Sequence, residues 1–166
     1  MLDCLPETIE PLGLAEVGRS FRGEVAVSAL GRLRPQLSDH DGLLQVRLAF
    51  RRDERCLHVL QGSIDGEIRL VCQRCLQALA LPLQLKFSLG IVSDESEIDR
   101  LPEGYEPLLV SGEPLRTVEV IEDEVLLVIP AVPVHSGEQV CELAYRNRPV
   151  AGKDNPFSVL EKLKTQ

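Results

Sequence analysis

The amino-acid sequence predicts an α+β fold: a twisted antiparallel sheet, or a partly open barrel, carrying a few short helices. Three observations lead there. Leu44, Val46, Leu48 and Phe50 alternate with Gln45, Arg47, Ala49 and Arg51, the period-two signature of a strand with one buried face. Further apolar runs at 21–28, 56–60, 68–71 and 79–92 follow one another across short polar breaks, a spacing that suits consecutive antiparallel strands. Val118, Ile121, Val125 and Val128 recur near helical spacing.

Along the chain, Leu12, Ala15 and Glu16 permit a short helix after Pro11 that ends near Gly18. Phe21 to Ser28 reads as a strand, and Leu30 to Leu37 as a short helical turn before the Asp39-His40-Asp41-Gly42 loop. After the alternating strand, Arg51-Arg52-Asp53-Glu54 makes a polar hairpin turn and Cys56 to Leu60 returns. Asp65-Gly66 predicts another tight turn, with Ile68 to Val71 as the next strand. Leu79 to Val92 resumes the sheet with Leu83, Leu85, Phe87 and Leu89 on one side.

Ser93 to Val110, broken by Pro102, Gly104 and Pro107, predicts a long loop or an excursion with one short helix. Thr117 is placed to cap a helix through Ile129, whose first half holds four acids that suit the helix dipole. Abundant Val and Ile leave a strand as the competing assignment there, and Pro130 and Pro133 end the element. In the tail, Asn155-Pro156 opens a short amphipathic helix with Phe157, Leu160 and Leu163 on one face. The expected organisation is a single domain over 1–141, with an acidic loop at 93–116, then a tether and short helix over 142–166.

Composition narrows the function. Aromatic residues make up 4% of the chain and Trp is absent, which argues against stacking platforms for unpaired bases. No apolar stretch approaches the roughly 18 residues of a membrane span. The opening Met1 to Glu7 carries acids where a leader carries bases, so the cytoplasm is the expected compartment. Thiols stay reduced there, and the five cysteines read as core residues or metal ligands before disulfides.

The net charge of −8 is unevenly spread: residues 1–92 hold 11 Lys/Arg against 11 Asp/Glu, and residues 93–166 hold 7 against 15. One reading of the acidic segment is a solvated loop. The other is a surface for a basic partner, on which Glu103, Glu106, Glu119, Glu122, Asp123 and Glu124 are the candidate residues. Direct contact of this segment with phosphates is opposed by repulsion. Arg47, Arg51, Arg52, Arg55, Arg69 and Arg74 come from neighbouring strands or turns and offer an alternative, an RNA-contacting sheet face. Asp53, Glu54, Asp65 and Glu67 are mixed among them, so an ordinary solvated face competes.

Cys72-Gln73-Arg74-Cys75 sits between two strands, and His135 and Cys141 follow some sixty residues later. Two thiolates from one knuckle plus an imidazole and a thiolate complete a tetrahedral Cys3His set for a structural zinc ion. The alternative is half-buried cysteines at strand ends, with His135 a loop residue; Cys4 and Cys56, without a partner at ligand spacing, belong to that class. A thiol oxidoreductase needs its first thiol at a helix N-terminus, and the flanks here read as strand. There is no phosphate-binding glycine loop and no nucleophile elbow, and His40 and His58 fall in a turn and on a solvent-facing strand position.

Several segments, in order, are similar to the YceD family: Cys72-Gln73-Arg74-Cys75-Leu76, Leu101-Pro102-Glu103-Gly104-Tyr105-Glu106-Pro107, Ile121-Glu122-Asp123-Glu124-Val125 running into Pro130-Ala131-Val132-Pro133-Val134-His135, and Asn155-Pro156-Phe157-Ser158-Val159-Leu160. The resemblance runs from about residue 10 to the end. It implies a non-enzymatic role in the accumulation of large-subunit (23S) ribosomal RNA, through its synthesis, processing or stability, and it supplies no catalytic residues. It implies as partners a basic large-subunit ribosomal protein, the large-subunit RNA precursor, or both, with no membrane and no small-molecule substrate. Two mechanisms then compete. An escort holds a basic ribosomal protein on the acidic half, whereas an RNA-binding protein uses the arginine face; a thiol-disulfide oxidoreductase is the distant third.

Overall fold

The computed structural model describes residues 3–135 and Cys141, so the tether and terminal helix expected over 142–166 lie outside the described residues. Two short strands, β1 (Asp3–Cys4) and β2 (Thr8–Ile9), precede helix α1 (Pro11–Val17). Proline at the first helical position and Gly18 in the left-handed conformation (φ 66°) bound α1 as the sequence predicts. Strand β3 (Ser20–Ala26) follows, and 27–37 carries two 3-10 turns in place of one helical turn. Then come β4 (Leu43–Arg52), β5 (His58–Val71) and β6 (Ala78–Val92), the four-residue β7 (Glu106–Leu109), β8 (Leu115–Arg116) and helix α2 (Thr117–Val128).

Six strands form one open sheet in the order β1-β3-β4-β5-β6-β7, while β2 and β8 pair separately. The four central strands are antiparallel, as expected, but both edges are parallel pairings, β1 with β3 and β6 with β7. On the inner face Leu44, Val46, Leu48 and Phe50 of β4 are all buried, confirming the alternation, and they join Phe21, Val25, Leu60, Ile64, Leu83 and Leu89 in one core. That face is covered by α1, by Leu30, Leu33 and Leu37, and by Val120, Ile121 and Val125 of α2. Each fully buried aliphatic side chain contributes about 1.5–3 kcal/mol, so Ile121 and Val125 alone anchor the helix firmly.

Four local expectations are corrected. Asp65-Gly66 is not a turn: β5 runs straight through it, and Gly66 is there because a Cβ would stand 2.7 Å from the Leu44 Cδ2 atom. The hairpin turn lies instead at 53–57, where Asp53 Oδ1 accepts the Arg55 and Leu57 backbone N–H groups at 2.8 and 2.9 Å. The acidic stretch contains a strand, β7, at the sheet edge, where Pro107 costs no ladder bond. Thr117 is the first helical residue and not a cap: its hydroxyl donates to the Pro6 carbonyl at 2.7 Å.

Candidate metal centre and charged surfaces

The Cys72-to-Cys75 segment joins the end of β5 to the start of β6 as a tight knuckle. The Cys72 N–H donates to the Gln77 carbonyl and the Leu76 N–H to the Cys72 carbonyl, both at 2.9 Å, with Leu76 at φ 60°. The Arg74 N–H points at the Cys72 sulfur, 3.5 Å away. Pro130 and Pro133 end α2 and extend the chain, and the Gln73 N–H donates to the Pro133 carbonyl at 2.8 Å, docking the His135 segment on the knuckle.

Four ligand atoms converge there. Those of Cys72, Cys75, His135 and Cys141 all lie within 4.8 Å of one another. The Cys72 and Cys141 sulfurs are 3.7 Å apart, and His135 Nδ1 lies 3.4 Å from Cys75 Sγ and 3.5 Å from Cys141 Sγ. A tetrahedral zinc with ordinary Zn–S and Zn–N bonds requires edges of about 3.8 Å between sulfurs and about 3.6 Å between sulfur and nitrogen. The three contacts at 3.7, 3.4 and 3.5 Å already match such edges, and the remaining pairs lie within 4.8 Å. The His135 Nε2–H donates to the Ala78 carbonyl at 3.1 Å, which leaves the Nδ1 lone pair directed at the thiols, the arrangement that orients metal-bound histidines.

The sulfurs titrate as a group. Burial pushes the Cys72 thiol up, but hydrogen bonds from the backbone of Cys75, Arg74 and His135 and from the Cys75 thiol outweigh it and bring it down to about 5. Burial, then hydrogen bonding and charge from Cys72 and Cys75, push the Cys141 thiol up, since a second anion beside the first is resisted. A cluster that gathers thiolate charge on three sulfurs is chemically suited to a divalent metal. Three thiolates and one imidazole form a closed set with no position left for substrate, which is the pattern of a structural site. The knuckle lies between two strands, not at a helix N-terminus, so the redox geometry is absent from it. Cys4 and Cys56, expected as partly buried, are both exposed.

The candidate acidic residues separate into two kinds. Glu122 is buried: its Oε1 accepts the Arg32 and Leu33 backbone N–H groups at 2.7 and 3.3 Å, and its Oε2 meets Arg32 Nε at 2.9 Å. It is an internal latch between the 27–37 segment and α2. Asp123 pairs with the same guanidinium at 2.6 Å, and Glu119 pairs with Arg116 at 3.4 Å. Glu103 and Glu106 are exposed, and Glu124 is half-buried. Burial, reinforced by Glu106 and Asp123, pushes the Glu124 carboxyl up to about 7.

The candidate arginines do not form one patch. Arg47, Arg51 and Arg69 lie on the outer face of the sheet, and Arg69 is paired with Asp39 and Glu67. Arg52 points to the covered side, where it meets Glu16 of α1, and Arg74 sits on the knuckle. His58, expected to face solvent, is half-buried with its Nε2 2.7 Å from Glu16, a contact across helix and strand that sequence spacing does not encode. The hydrogen bond from His58 holds the Glu16 carboxyl below its ordinary value. Among the described residues no helix is long and apolar enough to cross a membrane.

The sequence profile described as "Large ribosomal RNA subunit accumulation protein YceD" matches residues 60–164. The chain is 33% identical to a Haemophilus influenzae protein named large ribosomal RNA subunit accumulation protein YceD, with 96% of each chain covered. No solved structure matches.

Proposed function

The chain belongs to the YceD family, and on that premise we propose that it is a non-enzymatic accessory factor of large ribosomal subunit biogenesis which holds a basic ribosomal protein on the carboxylates of α2 and β7. The observation that carries this reading is the crowding of Glu106, Asp123 and Glu124. Glu106 and Glu124 make no ion pair among the described residues, and Glu124 is driven to about 7 by burial and by its two acidic neighbours. Such a cluster costs free energy in the isolated chain, and an incoming lysine or arginine relieves it. With Glu122 committed to the interior, Glu106, Asp123 and Glu124 are the centre of the proposed surface; Glu119 pairs with Arg116, and Glu103 lines a hollow with Arg51, Arg52 and Arg55.

The Cys3His set supports a scaffolding part in the same reading. Cys72, Cys75, His135 and Cys141 would hold a structural zinc, fastening His135 and Cys141 to the β5–β6 knuckle. Ligand thiolates of this kind persist in a reducing cytoplasm, the compartment this proposal assumes.

Capture of large-subunit proteins from RNase-treated lysate tests the escort. Wild-type protein retains a basic large-subunit protein, and Glu103→Gln/Glu106→Gln/Glu124→Gln loses it. Equal retention by both removes the acidic surface from the account.

A further inference from the structure

The outer face of the sheet carries a charge pattern that the fold does not explain. The register places Arg22 opposite Arg47, Arg47 opposite Ser63 and Ser63 opposite Lys86, so these side chains form one row across four adjacent strands. Arg22, Arg47 and Lys86 are exposed. None of the three side chains makes an ion pair or hydrogen bond with the described residues. Like charges directly opposite one another in a sheet, as Arg22 and Arg47 are, are destabilising, and no carboxylate among the described residues pairs with them.

The next row makes the pattern more specific. Ser20, Ala49, Gln61 and Ser88 face one another across the same strands, a floor of neutral side chains, three of them small. A shallow groove is lined by that floor together with Arg47, Ser63 and Lys86. Beyond the floor stands Arg51, also exposed, at the edge of a hollow it shares with Arg52, Arg55, Asp53, Glu54 and Glu103. Of the acids on this face, Glu24 and Asp65 lie in the row on the far side of the cations and Glu67 one row further, where it pairs with Arg69; Glu24 already accepts a bond from Gln45 at 2.6 Å. The carboxylates of α2 belong to the opposite side, because that helix packs into the inner-face core.

We infer that this groove is a track for the phosphodiester backbone of RNA, with Arg22, Arg47, Arg51 and Lys86 as its phosphate contacts. From Arg22 to Lys86 is three strand spacings, about 14 Å, room for successive phosphates over a floor that no bulky side chain obstructs. The two phenylalanines that also line the groove, Phe21 and Phe87, belong to the intervening row whose side chains pack with the core on the other face, so bases are not stacked and the track ignores sequence. The inference rests on the family reading for its choice of RNA among polyanions. It assigns the chain two opposed faces, one cationic and one anionic, able to hold RNA and a basic protein together.

The test is fluorescence anisotropy of full-length protein with labelled polyuridylate over a salt series. Four contacts to a single strand give a slope of log K against log salt of about −3. Arg22→Gln/Arg47→Gln/Lys86→Gln makes it shallower by about two units and weakens binding at least tenfold. Arg34→Gln/Arg52→Gln/Arg116→Gln removes as much charge from other positions and leaves the slope in place. Thermal melts confirm folding, and the row variant melts no lower than wild type because it relieves repulsion. Absence of binding, equal loss in both variants, or equally strong binding of polyglutamate overturns the inference. Sedimentation of the row variant with large-subunit precursors separates the two readings: retained sedimentation with no RNA binding by the wild type ends the track and leaves the family reading intact.

Discussion

The sulfur atoms of Cys72 and Cys141 lie 3.7 Å apart although 69 positions separate them in the chain. That separation is one edge of the tetrahedron a zinc ion requires, and His135 supplies two more edges at 3.4 and 3.5 Å. Protein purified under reducing conditions with zinc supplied should therefore carry one zinc per chain by elemental analysis. Cys75→Ser or His135→Ala should cut that content severalfold. Stripping the metal should lower the melting temperature by about 5–10 °C, since a ligand bound only to the native state adds about 2–4 kcal/mol. A full complement of freely reactive thiols in the zinc-supplied protein would contradict the assignment.

Glu122 predicts a different loss. Its carboxylate receives the backbone N–H groups of Arg32 and Leu33, and Leu33 is buried. Glu122→Ala strands those donors and should cost about 3 kcal/mol in chemical denaturation. Glu119→Ala, at an exposed pair, should cost under about 1 kcal/mol.

Gly62 is opposite Phe87 in the β5–β6 register, and a Cβ at Gly62 would collide with the Phe87 ring. Gly62→Ala should destabilise by about 1–3 kcal/mol. In the Phe87→Leu background the same substitution should cost much less, a coupling read by a double-mutant cycle.

Glu124 sets a pH dependence. Its folded-state pKa, about 7, is above the ordinary 4.5, so the native state binds the extra proton between those values. Its contribution is favourable below about 4.5 and is lost as pH rises through 7. Glu124→Gln should raise the melting temperature at pH 8 and leave it nearly unchanged at pH 4.5, as scanning calorimetry would show.

The sequence and the structure agree where periodicity is local. The 44–50 alternation, the bounds of α1 and the helix over 117–128 were all legible, because each is decided by neighbours within a turn or a strand. What was hidden depends on distant partners. Gly66 looks like turn chemistry until Leu44 is seen against it, and β7 becomes a strand only by pairing with Leu89–Val92. Glu122 reads like its acidic neighbours until Arg32 is folded over it. The four metal-site residues were legible as ligand types, but their convergence waits on the Gln73-to-Pro133 hydrogen bond. The row of Arg22, Arg47 and Lys86 is a property of register alone, which is why the sequence suggests a broader arginine set.

The most direct measurement is the ratio of large- to small-subunit ribosomal RNA in cells whose only copy of this protein carries Glu103→Gln/Glu106→Gln/Glu124→Gln. These carboxylates leave the Arg32 latch and the metal ligands untouched, so the variant should fold normally. The account predicts a ratio as low as in cells lacking the protein. A ratio equal to wild type, with the variant present at normal abundance, would contradict it.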